Sequence, residues 1–527
     1  MPGASRADAG AVSLSSNWGC AVVGSGQVRC WGDNDYGQLG QGNESAVGDN
    51  PGERPVIVPL PGPAISVVTT SAGAVCAVMQ AGDIRCWGNN NSGQAAQGWT
   101  GNIGDDPGEV PVSVDLGAGP KAIALAGGNG HFCAVTDLGG VRCWGFGSSG
   151  ALDQGDTNNR YFSIPVSLPR PAVAIAATES STCAVLDDGS LRCWGSSGSG
   201  ELQQGDTVTH GDNPGEPPVA VDTSGHRVLA ISGSSFSYCA IYDDRTLHCW
   251  GGSSDGQLGM ARTEAFGDSP GEHGVGAVSL PSGRGVVDVS MGGGSACAVL
   301  DDGSVRCWGD NFSGQLGQGN TIANYGATPG EATLPVDVGE PARAVFVGFG
   351  FACADTAAGL RCWGENGSGQ LARGNTNDYG RATGEVPRAL PAIDLGGQQI
   401  GRDSDGDGVR DAVDACPTVA GASNGCAAPA TPPEAVLKGK KVVLDTVLAK
   451  KKASAKCPAK AEVTVKTKTK AGRVKVTKQL KTKTVATGCL VKGKVRLPAK
   501  PKKSAAVKVA VSGSKLVNKR LIAVRNP

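Results

Sequence analysis

Two sets of residues in this chain have types and spacings that could do chemistry. The first is a run of carboxylates, "DSDGDGVRDAVDAC", from Asp403 to Cys416. Asp403, Asp405, Asp407, Asp411 and Asp414 fall at positions 1, 3, 5, 9 and 12 of a twelve-residue loop. Gly408 stands at position 6, and Val409 offers its backbone carbonyl at position 7. Five carboxylates so close together repel one another unless a cation neutralises them. Hard oxygens at these positions, with a glycine for the sharp turn, make a Ca²⁺ loop of the EF-hand kind, so calcium is the expected cofactor. Position 12 is Asp rather than the bidentate Glu, and no flanking helix pair is evident. The competing reading is an acidic, solvated linker.

The second set is the cysteines, 18 in all. Fourteen of them form spaced pairs: Cys20 with Cys30, Cys76 with Cys86, Cys133 with Cys143, Cys183 with Cys193, Cys239 with Cys249, Cys297 with Cys307, and Cys353 with Cys362. In "CAVLDDGSVRC" the two cysteines are symmetric about Asp302, and Asp301-Asp302-Gly303 reads as a three-residue hairpin turn. Counting outward from that turn puts Cys297 opposite Cys307 at a non-hydrogen-bonded site, where Cα atoms sit about 4.5 Å apart. That separation falls at the short end of the disulfide range of about 4.4–6.8 Å. A cross-strand disulfide in every hairpin is therefore expected; fourteen reduced, buried cysteines acting as small hydrophobes are the alternative. Cys353 and Cys362 are one residue closer, so their turn must be tighter. Arg245 stands where the other three-residue turns have Gly26, Gly82, Gly139, Gly189 and Gly303, which leaves that turn open.

Enzyme chemistry finds little support. The five histidines (His131, His210, His226, His248 and His273) sit in no nucleophile or zinc motif. No Gly-rich phosphate loop follows a strand and opens a helix. With each cysteine assignable to a pair, none is left as a nucleophile. The expectation is a chain with no catalytic residues.

The elements that carry the cysteines repeat. Cys-Trp-Gly occurs seven times, at Trp31, Trp87, Trp144, Trp194, Trp250, Trp308 and Trp363, with spacings of 56, 57, 50, 56, 58 and 55 residues. A period of that size with several short strands per unit is the signature of a propeller or solenoid. The tryptophan beside each cysteine points to the opposite sheet face and is expected to pack between blades. The pattern "CAVxxxGxVRCWGxNxxGQLGxG", clearest at 20–42, 76–98 and 297–319, resembles the regulator of chromosome condensation repeat family. The resemblance covers 11–397 and implies an all-β fold, a seven-bladed β-propeller of four-stranded blades. The first unit lacks the Pro-flanked strand that precedes the others, and "VPRALPAIDL" after the last supplies one. That offset suits ring closure by pairing of the two ends. Founding members of the family promote nucleotide exchange on a small GTPase and bind chromatin, but their active-face residues find no match here. A secreted bacterial branch inhibits β-lactamases through aromatic loops; aromatics here are only 5% of residues.

Charge divides the chain. From Ala430 to the end there are 27 Lys+Arg against Glu434, Asp445 and Glu462, which leaves a body near −24 and a tail near +24. The tail alternates apolar residues with Lys and Thr, the period of half-buried antiparallel strands, and reads as a small β-sandwich with Cys457 and Cys489 able to staple it. The lysines lack interleaved aromatics, so sequence-specific nucleic-acid binding is not expected, whereas adhesion to a polyanion is. "GDNPGE" at 48–53 and its variants at 104–109, 211–216, 267–272 and 326–331 read as Pro-Gly turns, with "GRATGE" at 380–385 a weaker form without the proline: solvated loops, or an acidic rim that binds cations or docks the tail. With "ACP" following, the calcium segment resembles a thrombospondin type 3 repeat, which implies closure by Cys416 and Cys426. No apolar run is long enough to span a membrane, and no leader is visible at the start. The expected organisation is an N-terminal segment (1–10), the propeller (11–397), a calcium-binding linker (398–429) and a basic β domain (430–527). The expected protein is a monomeric, secreted or envelope-associated binder of protein or envelope polyanion. An enzyme inhibitor or accessory domain is the alternative, and a nucleotide exchange factor the remote one.

Overall fold

A computed structural model describes residues 11–272, 276–322 and 325–400, together with the backbone of strands between Glu434 and Arg525. Seven small antiparallel sheets follow one another along the first part. Blade 1 is built from Val12–Leu14, Trp18–Val23, Gln27–Gly32 and Val56–Ile57. Blade 2 repeats it with Ala64–Thr69, Ala74–Met79, Ile84–Gly88 and Val112–Val114. Blades 3 to 6 span 122–166, 172–221, 228–277 and 286–336 in the same strand order. Blade 7 has three strands, Ala344–Val347, Phe351–Thr356 and Gly359–Gly364. The architecture is the expected seven-bladed all-β propeller.

Composition explains each strand's place. The first strand of every blade lines the central axis, where seven strands converge and only narrow side chains fit. Hence the runs "AIALAG" and "AVAIAA". The second strands, such as "SACAVL", are buried at every residue and supply the core between blades. The outermost strand is short and Pro-flanked; a proline such as Pro335 is tolerated there because an edge strand has unpaired positions.

Each blade is one contiguous stretch of chain, so the ring does not close by exchanging a strand between the two ends. The Pro-flanked strand simply comes last in its own blade, and the segment after blade 7 follows this rule: Ile393 N–H donates to Leu360 O (2.8 Å). Closure is instead made by blade 7 packing against blade 1, with the chain returning to bridge Val23 and Ile400. Gly24 N–H donates to Gln399 O (3.0 Å), so the propeller reaches past residue 397.

The hairpins form in the expected register, with Cys297 opposite Cys307 and Gly303 N–H donating to Leu300 O (2.8 Å). All seven hairpin pairs are disulfides. Cys20 bonds to Cys30, Cys76 to Cys86, Cys133 to Cys143 and Cys183 to Cys193. Cys239 bonds to Cys249, Cys297 to Cys307 and Cys353 to Cys362. The Cα–Cα distance is 4.1 Å in each, a little shorter than the expected separation at non-hydrogen-bonded sites. In the last hairpin Thr356 pairs with Gly359, leaving the tighter two-residue turn Ala357-Ala358. Arg245 adopts the same turn as the glycines, at φ 67°. A side chain in that left-handed region costs roughly 1–2 kcal/mol, which the stapled hairpin imposes.

The C-terminal strands form a separate compact unit. Their backbone makes one eight-stranded arrangement in which the long strand Gly472–Val485 pairs with Lys460–Thr469 at its start and Gly488–Arg496 at its end.

Candidate binding face

The seven tryptophans of the repeat are buried and join the blades. Trp87 Nε1 donates to Gln38 O in the preceding blade (2.9 Å), and Trp308 Nε1 to Gln257 O (2.9 Å). Trp31 closes the ring with the same bond to Gln370 O (2.7 Å). The Gln that supplies this carbonyl is fixed by its own side chain, as when Tyr36 N–H donates to Gln38 Oε1 (2.8 Å). These residues build the scaffold and leave recognition to the loops.

Glu201 replaces that Gln in blade 4. Its backbone carbonyl accepts from Trp250 Nε1 (2.9 Å), and its side chain accepts from Ser199 N–H (2.7 Å). It is 1% exposed, and burial pushes its carboxyl up to about 7. A raised folded-state pKa contributes stability below pH about 4.5, the unfolded value, that is lost as pH rises through about 7. Glu201→Gln keeps both bonds and removes the charge. It is expected to match wild type near pH 4 and to be more stable above pH 7, by at most about 3 kcal/mol at 1.36 kcal/mol per pKa unit. Denaturant unfolding at the two pH values checks this; a difference that does not vary with pH contradicts the assignment.

The acidic turns prove to be structural at their glutamates. Glu53 accepts N–H bonds from Gly48 (2.8 Å) and Asn50 (3.1 Å). Glu216 does the same for Gly211 and Asn213 (3.1 Å each), and Glu331 for Gly326 and Thr328 (2.9 Å each). These turns also dock on the neighbouring blade: Gly42 N–H donates to Gly104 O (2.8 Å), and Gly374 N–H to Gly48 O (2.8 Å) across the closure. The turn glutamates therefore clamp loops rather than offer free ligands. Blade 3 has no such turn and uses the longer strand Arg160–Val166 instead, which accounts for its short repeat.

The two faces of the propeller differ. The turns between second and third strands carry aspartates paired with a cation from the connection between blades. Arg170 meets Asp187 and Asp188 (2.7 and 3.0 Å), and Arg284 meets Asp301 and Asp302 (3.3 and 3.1 Å). In blades 4 and 6 the acids of this face are thus each met by an arginine of the same face. The other face is formed by the first-to-second and third-to-fourth connections, which emerge at the same end because the strands are antiparallel. All seven exposed aromatics among the described residues lie at that end: Tyr36, Trp99, Tyr161, Phe162, Phe236, Phe312 and Phe349. The Phe162 ring lies against Gly98, next in sequence to Trp99, and Tyr161 lies against Gly93, so blade 3 places two aromatics on blade 2 at their seam.

The axial cavity is small, about 190 Å³, and is lined by hydroxyls such as Ser13, Thr69 and Ser290, with Glu179 at its mouth. Drug-sized ligands need roughly 300–1,000 Å³. His131 is fully buried with Nε2 3.0 Å from Thr182 Oγ1, and burial pushes it down to about 4, so it is a neutral structural residue. Asp403, Asp405, Asp407, Val409, Asp411, Asp414, Cys416, Cys426 and Cys457 lie outside the described residues, and Cys489 is placed only as backbone within a strand. No helix among the described residues is long and apolar enough to cross a membrane.

Sequence reasoning discounted the aromatics because their fraction is low and most tryptophans belong to the repeat. The usable signal was position: the exposed aromatics stand outside the repeated Cys-Trp-Gly slots, in the variable connections or, for Tyr161 and Phe162, at the start of an outermost strand.

Comparison with known proteins finds matches to the regulator of chromosome condensation (RCC1) repeat at 25–78, 172–201 and 286–315. The Ultraviolet-B receptor UVR8 of Arabidopsis thaliana is 29% identical over 303 residues, 56% of this chain and 63% of that protein. The mouse E3 ubiquitin-protein ligase HERC2 is 26% identical over 47% of this chain and 5% of its own length. The chain thus spans less than two thirds of these relatives. Among solved structures, human WBSCR16 has TM-score 0.56 at 18% identity, covering 67% of this chain and 92% of that one. Prp20p of Saccharomyces cerevisiae, described with its binding to Gsp1p and histones, has TM-score 0.56 at 17% identity, covering 75% and 89%. At these identities the likeness is one of fold.

Proposed function

On the premise that this chain is built of regulator of chromosome condensation repeats folded as a seven-bladed propeller, we propose that it is a non-catalytic protein-binding molecule. The carrying observation is the asymmetry of the faces: seven exposed aromatics on one, self-paired ions on the other. Aromatic side chains give large contact area at low entropic cost and dominate interface energetics. The partner docks on the aromatic face, next to the acidic turns. The fourteen hairpin cysteines are all in disulfides, which supports an oxidising, secreted or envelope location. The basic tail then acts as an electrostatic anchor to a polyanion, and the Asp403–Asp414 segment as a calcium-stiffened linker. A second reading, a secreted enzyme inhibitor, is favoured by the same aromatic face, since an inhibitor is a binder whose partner is an enzyme.

The test is capture of partners from envelope fractions and culture medium by the full-length protein. The combined variant Trp99→Ala, Phe162→Ala, Phe312→Ala is expected to lose at least about tenfold in affinity, because each buried aromatic anchor is worth upward of about 1 kcal/mol. Arg284→Ala, on the opposite face, is expected to bind as wild type. Equal loss in both, or in neither, removes the face assignment. Retention on envelopes should fall with salt, as electrostatic anchoring requires, and with calcium chelation; indifference to both contradicts the anchor and linker roles.

A further inference from the structure

Blade 5 departs from its neighbours at the place where they hold an arginine against two aspartates. Arg170 in blade 4 and Arg284 in blade 6 each meet both acids of their hairpin turn. In blade 5 that place is taken by His226. Its Nδ1 lies 3.0 Å from Asp243 Oδ1 and 3.8 Å from Asp244 Oδ2. One imidazole nitrogen and two carboxylate oxygens fall within 4.8 Å of one another. A guanidinium carries only donors, whereas a neutral imidazole offers a lone pair. Here Nδ1–H is placed to donate to Asp243 Oδ1, so the pair is kept; unlike a guanidinium, the imidazole can give up that proton to an incoming ion and leave three converging Lewis bases.

The surroundings hold these groups in place. His226 stacks on Tyr242 (5.6 Å between centroids, 19°), and His248 stacks on it too (4.4 Å, 16°). His248 is itself a histidine at a position where the other six blades have arginine. Thr246 Oγ1 lies 2.6 Å from Asp244 Oδ1 and 2.8 Å from His248 Nε2. The left-handed Arg245 keeps the turn in the shape its neighbours have, so Asp243 and Asp244 stand in register with Asp301 and Asp302.

The donor spacing suits a small tetrahedral ion. Ligand atoms each about 2.0–2.1 Å from Zn²⁺ are about 3.3 Å apart in a tetrahedron. The observed 3.0 and 3.8 Å bracket that value. A nitrogen donor disfavours Ca²⁺ and Mg²⁺, which take oxygen ligands. All three side chains are partly exposed, so an ion reaches them from solvent and a fourth position stays open to water. We propose that His226, Asp243 and Asp244 form a divalent transition-metal site of the Zn²⁺ type on the hairpin-turn face of blade 5. It is independent of the aromatic face on the other side.

Full-length protein, stripped with chelator and exchanged into metal-free buffer, is titrated with ZnCl₂ by calorimetry. Co²⁺ is added in parallel, and its visible absorption reports the coordination. His226→Arg installs the side chain that blades 4 and 6 carry, so the blade has a proven way to fold. Asp243→Asn keeps the turn's shape and weakens one ligand. Both variants are expected to show one equivalent less Zn²⁺ uptake, or at least about tenfold weaker affinity at that equivalent. Unfolding midpoints near wild type show that they are folded. A wild-type protein that takes up no Zn²⁺, or either variant binding with wild-type stoichiometry and affinity, overturns the site.

Discussion

Guanidinium unfolding in the presence of dithiothreitol is expected to move to far lower denaturant than unfolding of the oxidised protein. Each hairpin disulfide closes a loop of about eleven residues, worth roughly 2–3 kcal/mol by loss of entropy in the unfolded chain. The seven loops do not overlap in sequence, so their effects on the unfolded chain add to more than about 14 kcal/mol. A native domain has only about 5–15 kcal/mol of net stability. The reduced chain is therefore expected to lose cooperative folding at ambient temperature. All fourteen cysteines are buried, so reductant reaches them only after opening, and the comparison must start from unfolded chains. The double variant Cys297→Ala, Cys307→Ala isolates one staple and is expected to cost about 2–3 kcal/mol. Coincident oxidised and reduced curves would show that the staples do not hold the propeller together.

Trp31→Ala is expected to destabilise the propeller by about 3–5 kcal/mol, the usual range for truncating a buried tryptophan. The side chain is buried and donates to Gln370 O (2.7 Å) across the seam between the first and last blades. Every other seam is spanned by the chain passing directly from one blade to the next. This one has no direct chain connection and is held by packing, by backbone bonds such as Gly374 to Gly48, Phe349 to Ser15 and Gly24 to Gln399, by the Arg54–Asp394 ion pair (3.0 Å) and by the bridge of Val23 with Ile400. Trp31→Phe separates the two contributions. It retains most of the packing but leaves the Gln370 carbonyl unpaired, at about 1–3 kcal/mol. Trp194→Ala, at an interior seam, is the control: a similar loss in global stability, without the faster proteolysis from the ends that an opened ring should show. A Trp31→Ala protein within about 1 kcal/mol of wild type, a third of the least expected loss, would mean that closure lies elsewhere.

The fold was legible in the sequence because it is written seven times. The Cys-Trp-Gly register sets both the period and the hairpin, and the three-residue turn puts the cysteines at non-hydrogen-bonded sites by counting alone. Pairs such as Cys20 with Cys30 and Cys297 with Cys307 needed nothing beyond that count. What counting does not supply is the order of strands within a blade. The offset at the two ends suited closure by pairing of the ends; the ends do pair at Val23 and Ile400, but the Pro-flanked strand itself comes last in its own blade. Repeats can be cut at any phase in sequence; only the pairing of Val56–Ile57 with the Gln27–Gly32 strand of its own blade sets the phase.

The candidate site was less legible, for a reason tied to geometry. The "GDNPGE" glutamates read as solvated loops or as an acidic rim because charge is visible in sequence and hydrogen bonds are not; in the fold they accept the N–H groups of their own turns. Tyr36, Trp99, Phe162, Phe236, Phe312 and Phe349 are scattered over more than three hundred residues. They share a face only because antiparallel strands return alternate connections to the same end. The sequence by itself determined the repeat, the staples, the inter-blade tryptophans and the split of charge, since each depends on local spacing. The tertiary structure alone decided how the ring closes, which acids are spent on turns, and that the variable aromatics gather on one face. Those are properties of residues brought together from different blades, and no local pattern encodes them.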